Sequence, residues 1–230
     1  MIMEALRDVL GAPPVPQGSW EREARFVSTA ALRGTAETAA EAAERLAVRL
    51  RAVPGVRHVD VRPNGFLVIG VAAPGEIVHD ILAAPLAEPP PETGAVAPWP
   101  DFPRTWDNPG FAVRYAYVRA GAVRRWARDL GVPGGAAARP ELLDGPLDRA
   151  VLRVLAELPS RRESRDPGWA AYLERLAEVY HTAVERASPI PRGDEAPSDV
   201  HAARVRMGEA VRRVLGEGMA ELGVAPPGKI

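Results

Sequence analysis

Residues 107–131 read DNPGFAVRYAYVRAGAVRRWARDLG, and the nature of the second half of the chain is decided here. Asn108 to Leu130 reads as one long helix, closed by Gly131 and Pro133. At about 100° per residue, Phe111, Tyr115, Ala122, Val123, Trp126 and Leu130 fall in one apolar arc, the face expected to meet the core. Arg119 stands within that arc, one turn from Tyr115 and two from Trp126. An unpaired charge on a buried stripe is costly. Arg119 is therefore either half of a structural ion pair, the commoner outcome, or a side chain that snorkels to the edge of a bundle. A third reading joins it to Tyr115 in a pocket for a planar polar ligand such as a base, since tyrosine stacks and arginine supplies several donors. Arg114, Arg125 and Arg128 share another face, with Arg124 beside it. Such a face is usually just solvated, so these three are only candidate phosphate contacts.

Working outward, three more helices follow. They are expected over Pro146–Leu158, Pro167–Ala187 and Ser198–Leu222, the last capped by Ser198 or Asp199 and stopped by Gly223. Four helices with proline-marked joints predict a helical bundle. Upstream, residues 84–103 hold seven prolines, at 85, 89, 90, 91, 98, 100 and 103. Proline removes backbone donors and restricts the residue before it, so this stretch predicts an extended, mobile linker. Before it, TAETAAEAAERLAVRL over Thr35–Leu50 reads as an amphipathic helix with Thr35 as its cap, stopped by Pro54-Gly55. Val56–Val61 and Phe66–Val71 read as strands joined by a turn at Asn64-Gly65, and Pro74–Ala83 as a short helix. The expected organisation is a small α+β domain over 1–83, a Pro-rich linker over 84–104 and an all-α helical domain over 105–230.

Composition bounds the chemistry. The chain has 230 residues, 47% of them hydrophobic, which is enough for a real core in one or two domains. No cysteine is present, which excludes disulfides and cysteine-based metal sites. Lys229 is the only lysine. Net charge is -1, so there is no global footprint of nucleic-acid binding, but residues 1–100 carry 9 basic and 12 acidic groups and residues 101–230 carry 20 and 18. Basic groups that meet phosphate must then be locally clustered. No apolar run approaches the roughly 18 residues of a membrane span, and the first residues lack a signal peptide's apolar centre. A cytoplasmic protein without membrane partner is the expectation. His58, His79, His181 and His201 show no metal-ligand spacing, and Glu174 and Glu178 sit among arginines on a solvated helix face. There is no Gly-rich phosphate loop. No catalytic residue, metal or cofactor is expected.

Three separated stretches carry a family resemblance. DNPGFAVRYAYVR at 107–119 resembles the opening helix of the DALR anticodon-binding domain of arginyl-tRNA synthetases, which begins with Asn-Pro and carries a Tyr-Ala-x-x-Arg core, here Tyr115, Ala116 and Arg119. DPGWAAYLERLAEVYH at 166–181 is similar to that domain's third helix. AARVRMGEAVRRVLGEGMAELGVAPPGKI, which ends the sequence, is similar to its last helix and tail, with Leu222-Gly223 and Pro227-Gly228-Lys229-Ile230 where the family runs through Leu-Gly to Pro-x-Arg-Met. Val56–Val71, with its Asn64-Gly65-Phe66 turn, resembles the synthetase's N-terminal additional domain, which leans on the tRNA D-loop; Val68 stands where the family usually has asparagine.

The resemblance implies a site and a role. Tyr115, Arg119, the Ser188-Pro189-Ile190 corner and Ile230 would surround the anticodon, and Asn64 and Phe66 would be the D-loop contacts. The His-Ile-Gly-His and Lys-Met-Ser-Lys type signatures of a class I catalytic domain have no counterpart here, and the proline-rich stretch stands where that domain would sit. The implied protein is a paralogue of an aminoacyl-tRNA synthetase acting in translation: not an enzyme, but an adaptor that binds arginine tRNA for a separate tRNA-using enzyme. The alternatives are a protein-interaction module and a subunit of a split arginine–tRNA ligase working in trans.

Overall fold

The computed structural model describes residues 2–33, 38–85, 98–100, 102–134 and 139–228. Its first part contains helices α1 (Ile2–Leu10), α2 (Ala39–Arg51) and α3 (Glu76–Ala83), and strands β1 (Val15–Gln17), β2 (Ala24–Ser28), β3 (Val56–Val61) and β4 (Leu67–Val71). The strands form one antiparallel sheet in the order β1-β2-β4-β3. Register places Phe26 beside Ile69 and Ile69 beside Val59, and all three are buried. The turn between β3 and β4 is the expected one: Gly65 takes a positive φ of 80°, and the Asn64 side-chain oxygen accepts from the Phe66 N–H at 3.2 Å. The cap of α2 is Thr38, not Thr35, which lies outside the described residues. Thr38 Oγ1 accepts from the Glu41 N–H while Glu41 accepts from the Thr38 N–H, a reciprocal pair that satisfies two otherwise orphaned donors. α1, β1 and β2 were not among the expected elements.

The second part is helical: α4 (Pro109–Asp129), α5 (Pro146–Leu155), α6 (Leu158–Arg162), α7 (Trp169–Arg186) and α8 (Asp199–Glu221). The helix expected over 146–158 ends at Leu155, and a separate short helix starts at Leu158 with Pro159 in its first turn. One expectation is overturned. The face of α4 that meets the core is Val113, Ala116, Ala120, Val123 and Ala127, not the aromatic arc, of which Val123 alone is buried. Small side chains let α8 come close: a Cβ on Gly216 would lie 3.2 Å from the Tyr117 ring, and one on Gly121 would lie 3.1 Å from Arg212 Nε. Close backbone approach offsets the modest apolar area that each alanine brings.

Of the expected linker, residues 86–97 and 101 lie outside the described residues. Its far end is anchored. Trp99 is buried and donates from Nε1 to Glu174 Oε1 at 2.6 Å, and Asn108 Nδ2 donates to the carbonyls of Pro100 and Pro103 at 3.0 and 2.9 Å. The α+β and helical parts touch directly. α3 packs against α8 and α5, and one apolar cluster runs from Leu6 and Ile77 through Leu155 to Val214. Arg213 donates to the carbonyls of Leu82 and Ala84, and Arg153 and Arg149 donate to those of Gly18 and Trp20.

Candidate nucleic-acid interface

The start of α4 is built by Asn108. Its amide group ties the incoming chain at Pro100 and Pro103 through Nδ2, while Oδ1 accepts from the Gly110 N–H at 3.0 Å and caps the helix. Trp106, in the turn before the cap, is thereby held over the first turns of α4. It meets Phe111, Tyr115 and His181 edge-on, with ring centroids 5.7, 5.2 and 5.0 Å away. Tyr115 in turn lies 5.8 Å from Phe111 and 5.4 Å from His181, at shallow tilts. The edge contacts of Trp106 suit the ring quadrupoles. Trp106 is 58% exposed, and the same outward face of α4 continues to Trp126 and Leu130, 50% and 48% exposed. The arc that looked like a core stripe is thus a partly exposed face, half-buried at Phe111 and Tyr115 and open at Trp126 and Leu130.

Arg119 crosses this surface. Its guanidinium carbon lies 6.0 Å from the Tyr115 ring centre, Nη1 donates to Glu185 Oε1 at 3.3 Å, and the same nitrogen sits 3.4 Å from His181 Nδ1. The other imidazole nitrogen, Nε2, lies 3.1 Å from the Ala112 carbonyl oxygen. A carbonyl only accepts, so Nε2 carries the proton and Nδ1 is left to accept from Arg119. Burial, and secondarily the nearby Arg119 charge, holds His181 below the usual imidazole range, with the Ala112 hydrogen bond working the other way. Arg119 is therefore both a member of an ion pair and the neighbour of Tyr115. Beside the cluster, Trp106, Pro109 and Ala112 face Glu174, Glu178 and Glu185 of α7 across a cleft of about 680 Å³.

The remaining expected site residues are scattered. Pro189 is buried and Ile190 packs against Ala127, Val132 and Ala202, near the far end of α4. That end is about 18 Å from Tyr115 along the helix at 1.5 Å per residue, so the corner does not join the aromatic cluster. Ser188 closes the corner by donating to the Ile190 carbonyl at 2.7 Å. Ile230 lies outside the described residues. Arg114 lies near the start of α4, against Gly110, whereas Arg125 and Arg128 border a groove of about 460 Å³ at its end, with Arg124 and Arg206. Asn64 and Phe66 are on the β3–β4 turn, where the asparagine oxygen is already used by the turn. Trp106 and Glu185 were missed as site members. A tryptophan two residues before a helix cap was the one available signal for Trp106. Among the described residues, no group of three or more His, Cys, Asp or Glu could hold a metal ion, and no helix is long and apolar enough to cross a membrane.

No family model matches the chain, and no solved structure matches it. Among curated proteins the similarity runs to a tRNA ligase. That relative is an arginine–tRNA ligase of Clavibacter sepedonicus, 42% identical over 129 residues, which cover 54% of this chain and 23% of the relative. The chain thus spans about a quarter of the length of the curated relative it matches.

Proposed function

We propose that this chain is a non-catalytic tRNA-binding protein that takes the anticodon arm of arginine tRNA on the outward face of α4. The observation that carries the reading is the surface aromatic cluster of Trp106, Phe111 and Tyr115 with Arg119 across it. One exposed ring, two partly exposed ones and an adjacent guanidinium form a stacking platform for unpaired bases. The similarity to arginine–tRNA ligase supplies the nucleic acid suited to that platform. In this reading the helical part is a DALR-type anticodon-binding domain and the α+β part an additional-domain-like module that leans on the tRNA elbow. The protein works as an adaptor for a separate tRNA-using enzyme and by itself does not activate an amino acid. Gel-shift titration with arginine tRNA, against the same tRNA with its central anticodon base changed, tests it. Tighter binding of the unchanged tRNA is expected, and equal affinity would remove the anticodon from the reading. Arginine-dependent ATP–pyrophosphate exchange should stay at background.

One observation favours a second reading. Trp126 and Leu130 extend the exposed stripe beyond Arg119 without a basic neighbour on the same line, and solvent-facing apolar stripes mark protein partners as well as bases. Equal affinity for the two tRNAs would give this reading first place.

A further inference from the structure

At the far end of α4 a second groove has a chemistry different from the aromatic platform. Arg124, Arg125 and Arg128 of α4 and Arg206 of α8 stand around it, Glu209 is its one acidic group, and Ala127, Val132, Ala202 and Val205 lie beneath. Glu209 is occupied by Arg206 Nη1 at 2.6 Å. Arg128 meets only the exposed Asp129, at 3.5 Å, and among the described residues Arg124 and Arg125 have no ion-pair partner. A helix C-terminus favours a cation through its dipole, which accounts for one or two arginines there. It does not account for Arg124 and Arg128 one turn apart, a like-charge spacing that costs free energy in an isolated helix. Nor does it account for a fourth guanidinium converging from another helix over a concave apolar floor. Such convergence is stabilised by an anion. A volume of about 460 Å³ is of small-molecule size, and a floor of Val132, Ala202 and Val205 offers an apolar rest for a sugar or base.

We propose that this groove is a nucleotide site on an RNA strand. Arg124, Arg125, Arg128 and Arg206 contact the phosphate, and the apolar floor carries the attached ribose or base. The inference rests on the tRNA reading above and adds a direction to it. Tyr115 and Arg125 are about 15 Å apart along the helix at 1.5 Å per residue. The platform lies toward α7 and the groove toward α8, so the strand crosses α4 diagonally, over Ala122. Cost falls on the phosphates at one end and on stacking at the other. Arg206→Gln should act in the same sense as the α4 variants although it lies on a different helix.

The test is filter binding of the full chain to arginine tRNA across a salt series. Variants are Arg124→Gln, Arg125→Gln and Arg128→Gln combined, Arg206→Gln alone, and Tyr115→Ala. Each phosphate contact on a single strand contributes about 0.7 to the slope of log affinity against log salt. The triple variant should lose about two units of slope and Arg206→Gln a fraction of one, to the same extent for tRNAs that differ in the anticodon. Tyr115→Ala should lower affinity with the slope unchanged. The exposed α4 positions make misfolding a minor concern; Arg128→Glu, checked by circular dichroism, should weaken binding more than Arg128→Gln. A wild-type slope in the triple variant, with Tyr115→Ala still weakened, would overturn the groove and leave the platform standing. Failure of the unaltered chain to bind tRNA would overturn both. Arginine-dependent retention on phosphatidylserine vesicles, with no effect of the arginines on tRNA, would assign the groove to a lipid headgroup and overturn the RNA assignment.

Discussion

Tyr115 meets the edge of Trp106 and lies at shallow tilts to Phe111 and His181, which fixes a ring that stays partly exposed. Trp106 and His181 hold it at 5.2 and 5.4 Å, and Arg119 lies over it at 6.0 Å. Stacking on one aromatic side chain is worth about 1–3 kcal/mol per base, so Tyr115→Ala is expected to weaken arginine tRNA binding about five- to a hundred-fold. Unchanged affinity in a folded variant would contradict the platform. His181 sets a second expectation. Burial disfavours its charged form, and protonating Nδ1 would also place a donor against the Arg119 guanidinium. The unfolded chain therefore takes up this proton first, near the ordinary value of 6.5, and the folded chain only at lower pH. The stabilisation associated with a neutral His181 is complete above that value and is lost as pH falls from it through the lower folded value. Thermal melts should show Tm dropping over that window, and His181→Gln should flatten the drop; equal slopes in the two proteins would count against it. The Tyr115–Arg119 pair was legible in the sequence because four-residue spacing is a local property. Its partners were not. His181 and Glu185 come from a helix more than sixty residues away, and nothing local specifies how α7 crosses α4.

The helix boundaries were readable for a related reason: they are written in local chemistry. Pro109 and Pro146 sit in first turns, Ser198 accepts from the His201 N–H as a cap, and Gly223 takes a positive φ just past α8. The facing of α4 was misread because alanine counts for little on a hydropathy scale while aromatic rings count for much. Close packing against α8 reversed that weighting. α1 carries Ile2, Met3, Leu6 and Leu10 on one buried face, a helical period that is short but present. β1 has three residues, one of them Pro16, too few to show alternation. Within the bundle the most exacting polar contact joins α5 to α8. Asp148 is 1% exposed, and Arg204 donates to both of its oxygens and to the Ser188 carbonyl. Removing one partner of a buried pair costs about 3–5 kcal/mol because the other charge stays buried alone. Arg204→Ala should show a loss of that size in chemical denaturation, and should also loosen the 188–190 corner. A change within about 0.5 kcal/mol, the range of ordinary surface substitutions, would mean that water reaches Asp148.

At the scale of the whole molecule the question is whether two parts joined by a proline-rich stretch behave as one body. Ile77, Val78 and Ile81 of α3 are buried, and α3 packs on α8 and α5, so the apolar core does not stop at the boundary. Polar contacts run the same way. The last carbonyls of the α3 region accept from Arg213, and the loop before β2 is held by Arg149 and Arg153 through the Trp20 and Gly18 carbonyls. Gly75, at the cap of α3, lies so close to the helical part that a Cβ there would overlap the Pro140 carbonyl oxygen. None of these contacts depends on residues 86–97 being continuous. A protease site inserted there should therefore be cleavable without separating the pieces. The cut protein should elute as one species in gel filtration and unfold in one transition that both helical and tryptophan signals follow. Gly75→Val should weaken that association, because backbone rather than a flexible side chain stands in the way and over-packing of this kind costs about 1–3 kcal/mol. Two species after cleavage of the otherwise unaltered protein would show that the shared core is too weak to hold the parts together, and the α+β part would then act on tRNA as a tethered, independent module.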